Sequence, residues 1–207
     1  MVSERVDYFA VFGLARRLRV DVPGLEKEFY ARSRRLHPDR FASKPVKEQE
    51  AALAASSELN DAYRTLKEPV GRTQHLLGLE GVEMEEQSKA ATDAARASGG
   101  AKKQVAPPEL LEEAFELNMQ MEEMRANKTF GDDDPQLRKD LEGAKANFEG
   151  MLAQTQTELE ALWERWDAAL EAGDDAAKGK ARDGMVALLN RRSYVRNLVR
   201  DVHEALG

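Results

Sequence analysis

The chain is expected to fold entirely into α-helices, on three observations. Its 207 residues are 42% hydrophobic and 33% charged but only 6% aromatic, rich in Ala, Leu, Glu and Arg and sparing in Gly and Pro; that mixture favours long helices. Apolar residues recur at three- and four-residue spacing over long stretches. Several prolines stand where those stretches open, where the missing N–H costs nothing.

The first stretch, Asp7-Tyr8-Phe9-Ala10-Val11-Phe12, reads as a short aromatic-rich helix ending at Gly13. Asp21 then serves as a cap and Pro23 starts the second helix. Leu25, Phe29 and Leu36 share one face of it, and Lys27, Arg32, Arg34 and Arg35 occupy the rest. Pro38 must end this helix, because it donates no N–H and forces His37 out of the α region. His37 and Asp39 are therefore expected on an exposed loop, followed by Arg40-Phe41. A third helix runs from Lys47 to Leu66, with Ala52, Ser56, Leu59, Tyr63 and Leu66 on one face. Helices two and three can pack antiparallel around Phe29, Leu36, Leu59 and Tyr63, with Tyr8, Phe9 and Leu14 covering one side. Leu76, Leu77 and Leu79 mark a last short helix between Gly71 and Gly81.

Residues 83–106 are small and polar and carry no periodic large side chain, so they read as a linker. Pro107-Pro108-Glu109 opens the next helix, to about residue 128. Leu110, Ala114, Leu117, Met121 and Met124 form its core stripe. Leu111, Phe115 and Met119 form a second stripe, displaced by roughly 100° at 3.6 residues per turn and bordered by Glu112, Glu116 and Glu123. Two readings stay open: a helix buried on a wide face, or an exposed apolar strip with an acidic rim, the anatomy of a docking surface. Asp134-Pro135 starts a long helix whose apolar face runs from Leu137 to Leu170, with Trp163 beside the core. Gly173-Asp174-Asp175 is a turn, and Ala177 to Val202 form the last helix. Short connections make these three an antiparallel bundle with long, coiled-coil-like helices.

Composition narrows the function. No apolar run is long enough to cross a membrane. The opening residues lack a basic segment, apolar core and cleavage site, so no signal peptide is expected. The absence of cysteine excludes disulfides and thiolate metal sites and fits a reducing, cytoplasmic setting. His37, His75 and His203 are scattered without ligand spacing, so no metal is expected, and His75 and His203 read as ordinary helix-surface or interface residues. No nucleophile elbow or glycine-rich phosphate loop accompanies His37 and Asp39, so neither catalysis nor a cofactor is expected. Residues 1–79 carry 14 basic and 11 acidic side chains; residues 80–207 carry 17 and 27. This asymmetry favours two halves with different partners. The net charge of −7 and a basic face without interleaved aromatics disfavour nucleic acid.

Several motifs together resemble a known family. They are Asp7-Tyr8-Phe9 with Phe12-Gly13-Leu14, His37-Pro38-Asp39-Arg40-Phe41-Ala42, Asn60-Asp61-Ala62-Tyr63 with Leu66, and Pro69, Arg72, Leu76-Leu77 and Gly81. Residues 7–81 resemble a J domain of the HscB (Jac) type, which serves iron–sulfur cluster assembly. The resemblance implies a J domain at 1–82, a linker at 83–106 and a client-binding helical domain at 107–207. It implies a co-chaperone, not an enzyme, that stimulates ATP hydrolysis by an Hsp70-class (DnaK/HscA-type) chaperone through His37, Pro38 and Asp39. The cations Lys27, Arg32, Arg34, Arg35 and Arg40 would steer the acidic partner, since complementary charge raises encounter rate and sets orientation. Pro107-Pro108-Glu109 matches the family's opening of the second domain. Aligned from there, contacts to an IscU-type cluster scaffold fall on Leu111, Glu112, Phe115, Glu116, Met119 and Glu123, with Tyr194 from the last helix. Glu112 stands where the family has an apolar residue, and Met119 where it has an acid. A J-domain co-chaperone with a different client, whose coiled coil is a cargo or dimerisation arm, is the alternative.

Overall fold

The computed structural model describes residues 5–82, 107–131 and 134–207, and among them the regular structure is entirely helical. The helices are α1 (Tyr8–Phe12), α2 (Val22–Leu36), α3 (Val46–Lys67), α4 (Pro69–Leu79), α5 (Leu111–Phe130), α6 (Pro135–Ala172) and α7 (Asp175–Leu206), with 3₁₀ turns at Pro38–Arg40 and Pro108–Leu110. The expected linker at 83–106 lies outside the described residues.

The helix ends follow local chemistry. Asp7 accepts the N–H groups of Phe9 and Ala10, and Gly13 closes α1 at φ 69°, where a side chain would be strained. Asp21 accepts the Gly24 N–H to cap α2. Asp134 accepts from Gln136 and Leu137 ahead of Pro135. Gly131 and Gly173 take up positive φ after α5 and α6.

The packing divides the chain differently from the expected boundaries at 82 and 107. One compact unit joins Met1–Met84 to Glu160–Met185; the other joins Glu85–Leu159 to Val186–Gly207. The long helices α6 and α7 thus each contribute residues to both.

In the first unit, Phe9, Leu18, Leu66, Leu76, Leu77 and Trp166 are fully buried. Phe29 stacks on Tyr63 with centroids 4.1 Å apart, joining α2 to α3, and the Tyr63 hydroxyl donates to Glu26 at 3.1 Å. Leu14 lies beyond the left-handed Gly13 and stays exposed, so it does not cover the hairpin as expected. The residues from the α6–α7 turn complete this unit through side chains that need partners. Trp163 Nε1 donates to Thr73 Oγ1 at 2.9 Å, and the Arg72 guanidinium lies 4.6 Å from the Trp163 ring centroid. Trp166 Nε1 donates to the Arg16 carbonyl, and the Asp167 carboxylate accepts the N–H groups of Leu18 and Arg19 at 2.8 and 3.1 Å. A buried indole N–H left unpaired costs about 1–3 kcal/mol, which explains why these helices end against the first half. Gly184 lets them approach each other: a Cβ there would stand 2.8 Å from Leu162 Cδ2.

His75, expected at a helix surface or an interface, is buried between α1 and α4. Its Nε2 accepts the Tyr8 N–H at 3.1 Å and its ring stacks on Tyr8 with centroids 4.3 Å apart. Burial, reinforced by Arg5 and Arg16 and opposed by Asp7, lowers its pKa to about 4.

In the second unit, Leu110, Ala114, Leu117, Met121 and Met124 of the 3₁₀ turn and α5 meet Leu137, Leu141 and Phe148 of α6 and Val195, Leu198, Val202 and Ala205 of α7. Burying each large apolar side chain contributes about 1.5–3 kcal/mol. Arg138 Nη1 donates to the Leu206 carbonyl, and Arg191 pairs with Glu158. Early α6 therefore meets late α7, so the two run antiparallel.

Candidate functional site

The tip that follows α2 is built by its proline. His37 has φ −59° and ψ 131°, the extended backbone that a following proline imposes, and α2 stops at Leu36. The chain then closes a single 3₁₀ turn, with Arg40 N donating to His37 O and Phe41 N to Pro38 O. The His37 Nδ1 accepts the Asp39 N–H at 3.3 Å and lies 3.4 Å from Asp39 Oδ2. An accepting Nδ1 leaves the proton of the neutral ring on Nε2 as a donor. The two side chains are 58% and 89% exposed. Beyond the turn, Gln49 Nε2 donates to the Lys44 carbonyl at 2.8 Å, tying the loop to the start of α3. The tip thus offers an imidazole donor and a carboxylate acceptor at a set separation, on a turn anchored at both ends.

The cations around it do not all face outward. Lys27, Arg34, Arg35 and Arg40 are exposed, and no ion pair engages them among the described residues. Arg32 is turned inward instead. It pairs with Glu28 at 2.6 Å, donates to the Val11 carbonyl at 2.5 Å and lies over the Phe12 ring. Its position on the helix explains this: Arg32 is seven residues after Leu25 and so shares the core-facing side. Of the five cations expected at the tip, Arg32 is committed to holding α1 on α2. Tyr30 was overlooked in the sequence: its ring is 51% exposed and stands between Lys27 and Arg34. The basic face therefore does carry an interleaved aromatic, contrary to expectation; its spacing, three residues after Lys27 and four before Arg34, was the available signal.

On α5 the two apolar stripes separate cleanly. The core stripe is buried, whereas Leu111, Phe115 and Met119 are 55%, 68% and 60% exposed. Glu112, Glu116 and Glu123 are exposed beside them. Tyr194 is partly buried against the core of the second unit, and burial together with Asp201 raises the pKa of its hydroxyl. The wide buried face is therefore not what this helix forms within the chain; three large apolar side chains remain in contact with water along one line, at a cost a partner would relieve.

The sequence offered no local signal for the clamp of Arg72, Thr73, Trp163 and Asp167, because its hydrogen bonds across the unit, Trp163 to Thr73 and Leu18 to Asp167, join residues 90 and 149 positions apart. Arg72 Nη1 donates to the Leu66 carbonyl at 2.9 Å, and burial lowers the guanidinium pKa against the opposing charge of Asp167.

No family model matches the chain. Over 82 residues, 40% of its length, it is 38% identical to a co-chaperone protein HscB homolog of Chromobacterium violaceum, covering 47% of that protein. Over 90 residues, 44% of its length, it is 37% identical to the co-chaperone protein HscB of Proteus mirabilis, covering 52% of it. The matched stretch thus spans about half the length of these curated relatives. Among solved structures it is similar to the chaperone HscB from Vibrio cholerae, with a TM-score of 0.50 and 23% identity over 93% of this chain and 96% of that one. It is likewise similar to the human co-chaperone protein HscB, with a TM-score of 0.53 and 21% identity over 96% and 82% of the two chains. The structural likeness shows a shared all-α fold. The resemblance to HscB co-chaperones drawn from the motifs is found again by comparison.

Proposed function

We propose that this chain is a J-domain co-chaperone of iron–sulfur cluster assembly. In this reading the His37-Pro38-Asp39 tip engages an Hsp70-class ATPase of the DnaK or HscA type and accelerates its ATP hydrolysis. The bonds broken and formed in that reaction belong to the partner; this chain supplies contacts and no reacting group. The exposed strip of Leu111, Phe115 and Met119 with its glutamate rim takes the cluster scaffold protein, of the IscU type, and the cluster is cargo. Carrying both sites on one chain raises the effective concentration of the client at the chaperone. Such a role belongs in the cytoplasm.

The observation that carries the reading is the exposed, anchored tip with free cations on the helix leading to it. Lys27, Arg34 and Arg35 steer an acidic surface towards α2 and set its register, while His37 and Asp39 make short-range polar contacts. The match to named HscB co-chaperones supports the same reading. The test is steady-state ATP hydrolysis by a purified DnaK-type chaperone with and without this chain. Wild-type chain accelerates it; His37→Gln, which removes the imidazole from an exposed turn, abolishes the acceleration while leaving helicity intact. Equal stimulation by the two would reject the assignment of the tip.

A further inference from the structure

We propose that Tyr30 is the aromatic anchor of the contact made by α2, seated in an apolar notch of an acidic protein surface. The proposal rests on the J-domain reading above and deepens it by naming the residue that sets affinity.

The solvent face of α2 is simpler than its sequence. Glu28 and Arg32 satisfy each other, and Arg32 is further spent on α1. Glu26 accepts from Tyr63. What remains free along the outward side is Lys27, Tyr30, Arg34 and Arg35. Lys27, Tyr30 and Arg34 follow one another at three- and four-residue spacing, which makes them neighbours on the helix surface. The Tyr30 ring touches Phe29 at a tilt, with centroids 5.3 Å apart, and its hydroxyl has no hydrogen-bond partner among the described residues. The side chain therefore contributes little to the fold and presents a broad apolar ring with a polar end.

An aromatic ringed by unpaired cations divides the work of binding. The charges raise encounter rate and orient the approach, whereas a desolvated Tyr holds the complex together. Partner chemistry follows from the same inventory: carboxylates opposite Lys27 and Arg34, and a recess for the ring between them. The exposed apolar side chains of α3 fit such a partner less well. Val46 and Leu53 have Lys47, Glu48 and Glu50 between them, a net negative charge that works against an acidic surface. Nucleic acid is the less favoured occupant, since one ring gives no continuous stacking platform and the chain carries a net charge of −7.

The test titrates full-length chain into a purified DnaK-type ATPase and reads two quantities, the half-maximal concentration and the plateau of stimulation. Tyr30→Ala is expected to raise the half-maximal concentration about tenfold and to reach the wild-type plateau at saturation. Tyr30→Gln, with greater helix-surface tolerance, repeats the shift, and Tyr30→Phe restores near-wild-type affinity because the ring is kept. His37→Gln by contrast loses the plateau. An unchanged half-maximal concentration in both Tyr30→Ala and Tyr30→Gln overturns the proposal while the J-domain reading stands. Failure of the wild-type chain to stimulate at all overturns both. Tyr30-dependent binding of a single-stranded oligonucleotide, with no shift in the ATPase titration, overturns it in favour of nucleic acid.

Discussion

Replacing Trp163 by Phe isolates the clamp that completes the first unit. The indole N–H donates to Thr73 Oγ1, which in turn donates to the Pro69 carbonyl at 2.9 Å. The ring face carries Arg72, whose Nε is buried without a hydrogen-bond partner among the described residues. Phenylalanine keeps a six-membered ring but removes the donor, costing about 1 kcal/mol for a buried neutral hydrogen bond. It weakens the cation–π contact by about 0.5 kcal/mol and leaves a void worth about 1 kcal/mol. The expected loss is therefore about 2–3 kcal/mol. Urea unfolding measures it, and the two tryptophans of the chain are both in this unit, so fluorescence of the remaining Trp166 reports the unit concerned. A lower midpoint at unchanged slope is the expected pattern. A double-mutant cycle with Arg72→Met should return a coupling of about 0.5 kcal/mol, the part of the cation–π contact that phenylalanine gives up. A loss below about 0.5 kcal/mol, the level of an ordinary surface substitution, would refute the claim that the first 84 residues depend on Glu160–Met185.

Phe115→Ala should lower the affinity for the cluster scaffold about tenfold or more by calorimetry while leaving the urea midpoint unchanged, because its ring is exposed within the chain; equal affinity would return the strip to bystander status. Acid should weaken the first unit through His75. The folded ring titrates near 4 and an unfolded one near 6.5, so its contribution is complete above pH 6.5 and is lost as pH falls towards 4. A proton on Nε2 would also turn the acceptor of the Tyr8 N–H into a donor. Between pH 7 and pH 5 the loss is about 2 kcal/mol, measured as a falling urea midpoint, and His75→Gln, which keeps an acceptor without titrating, should remove most of that slope.

Much of the fold was legible in the chain because its signals are local. Prolines 23, 38 and 135 mark helix ends through their own backbone chemistry. The stripe from Leu110 to Met124 and the stripe of Leu111, Phe115 and Met119 could be told apart on a helical wheel. Whether the second would be covered as well could not, since that depends on whether α6 and α7 present apolar side chains to one face or to both. The tip was similarly legible, because Pro38 falls between two strongly periodic helical stretches and must end the first of them.

Arg32 shows where such reading stops. Its charge is visible in the sequence, but its direction is decided by Phe12 and the Val11 carbonyl, supplied by another helix. His75, left between surface and interface by the sequence, becomes a buried acceptor for the same reason, through the Tyr8 N–H that α1 brings to it.

What the sequence determined alone is a set of helices, their caps, and the exposed His37-Pro38-Asp39 turn, since each rests on forces acting within a few residues. Only the tertiary structure decided that Glu160–Met185 belong with the first half, because buried indole N–H groups and a carboxylate must find partners, and theirs lie 90 or more residues away.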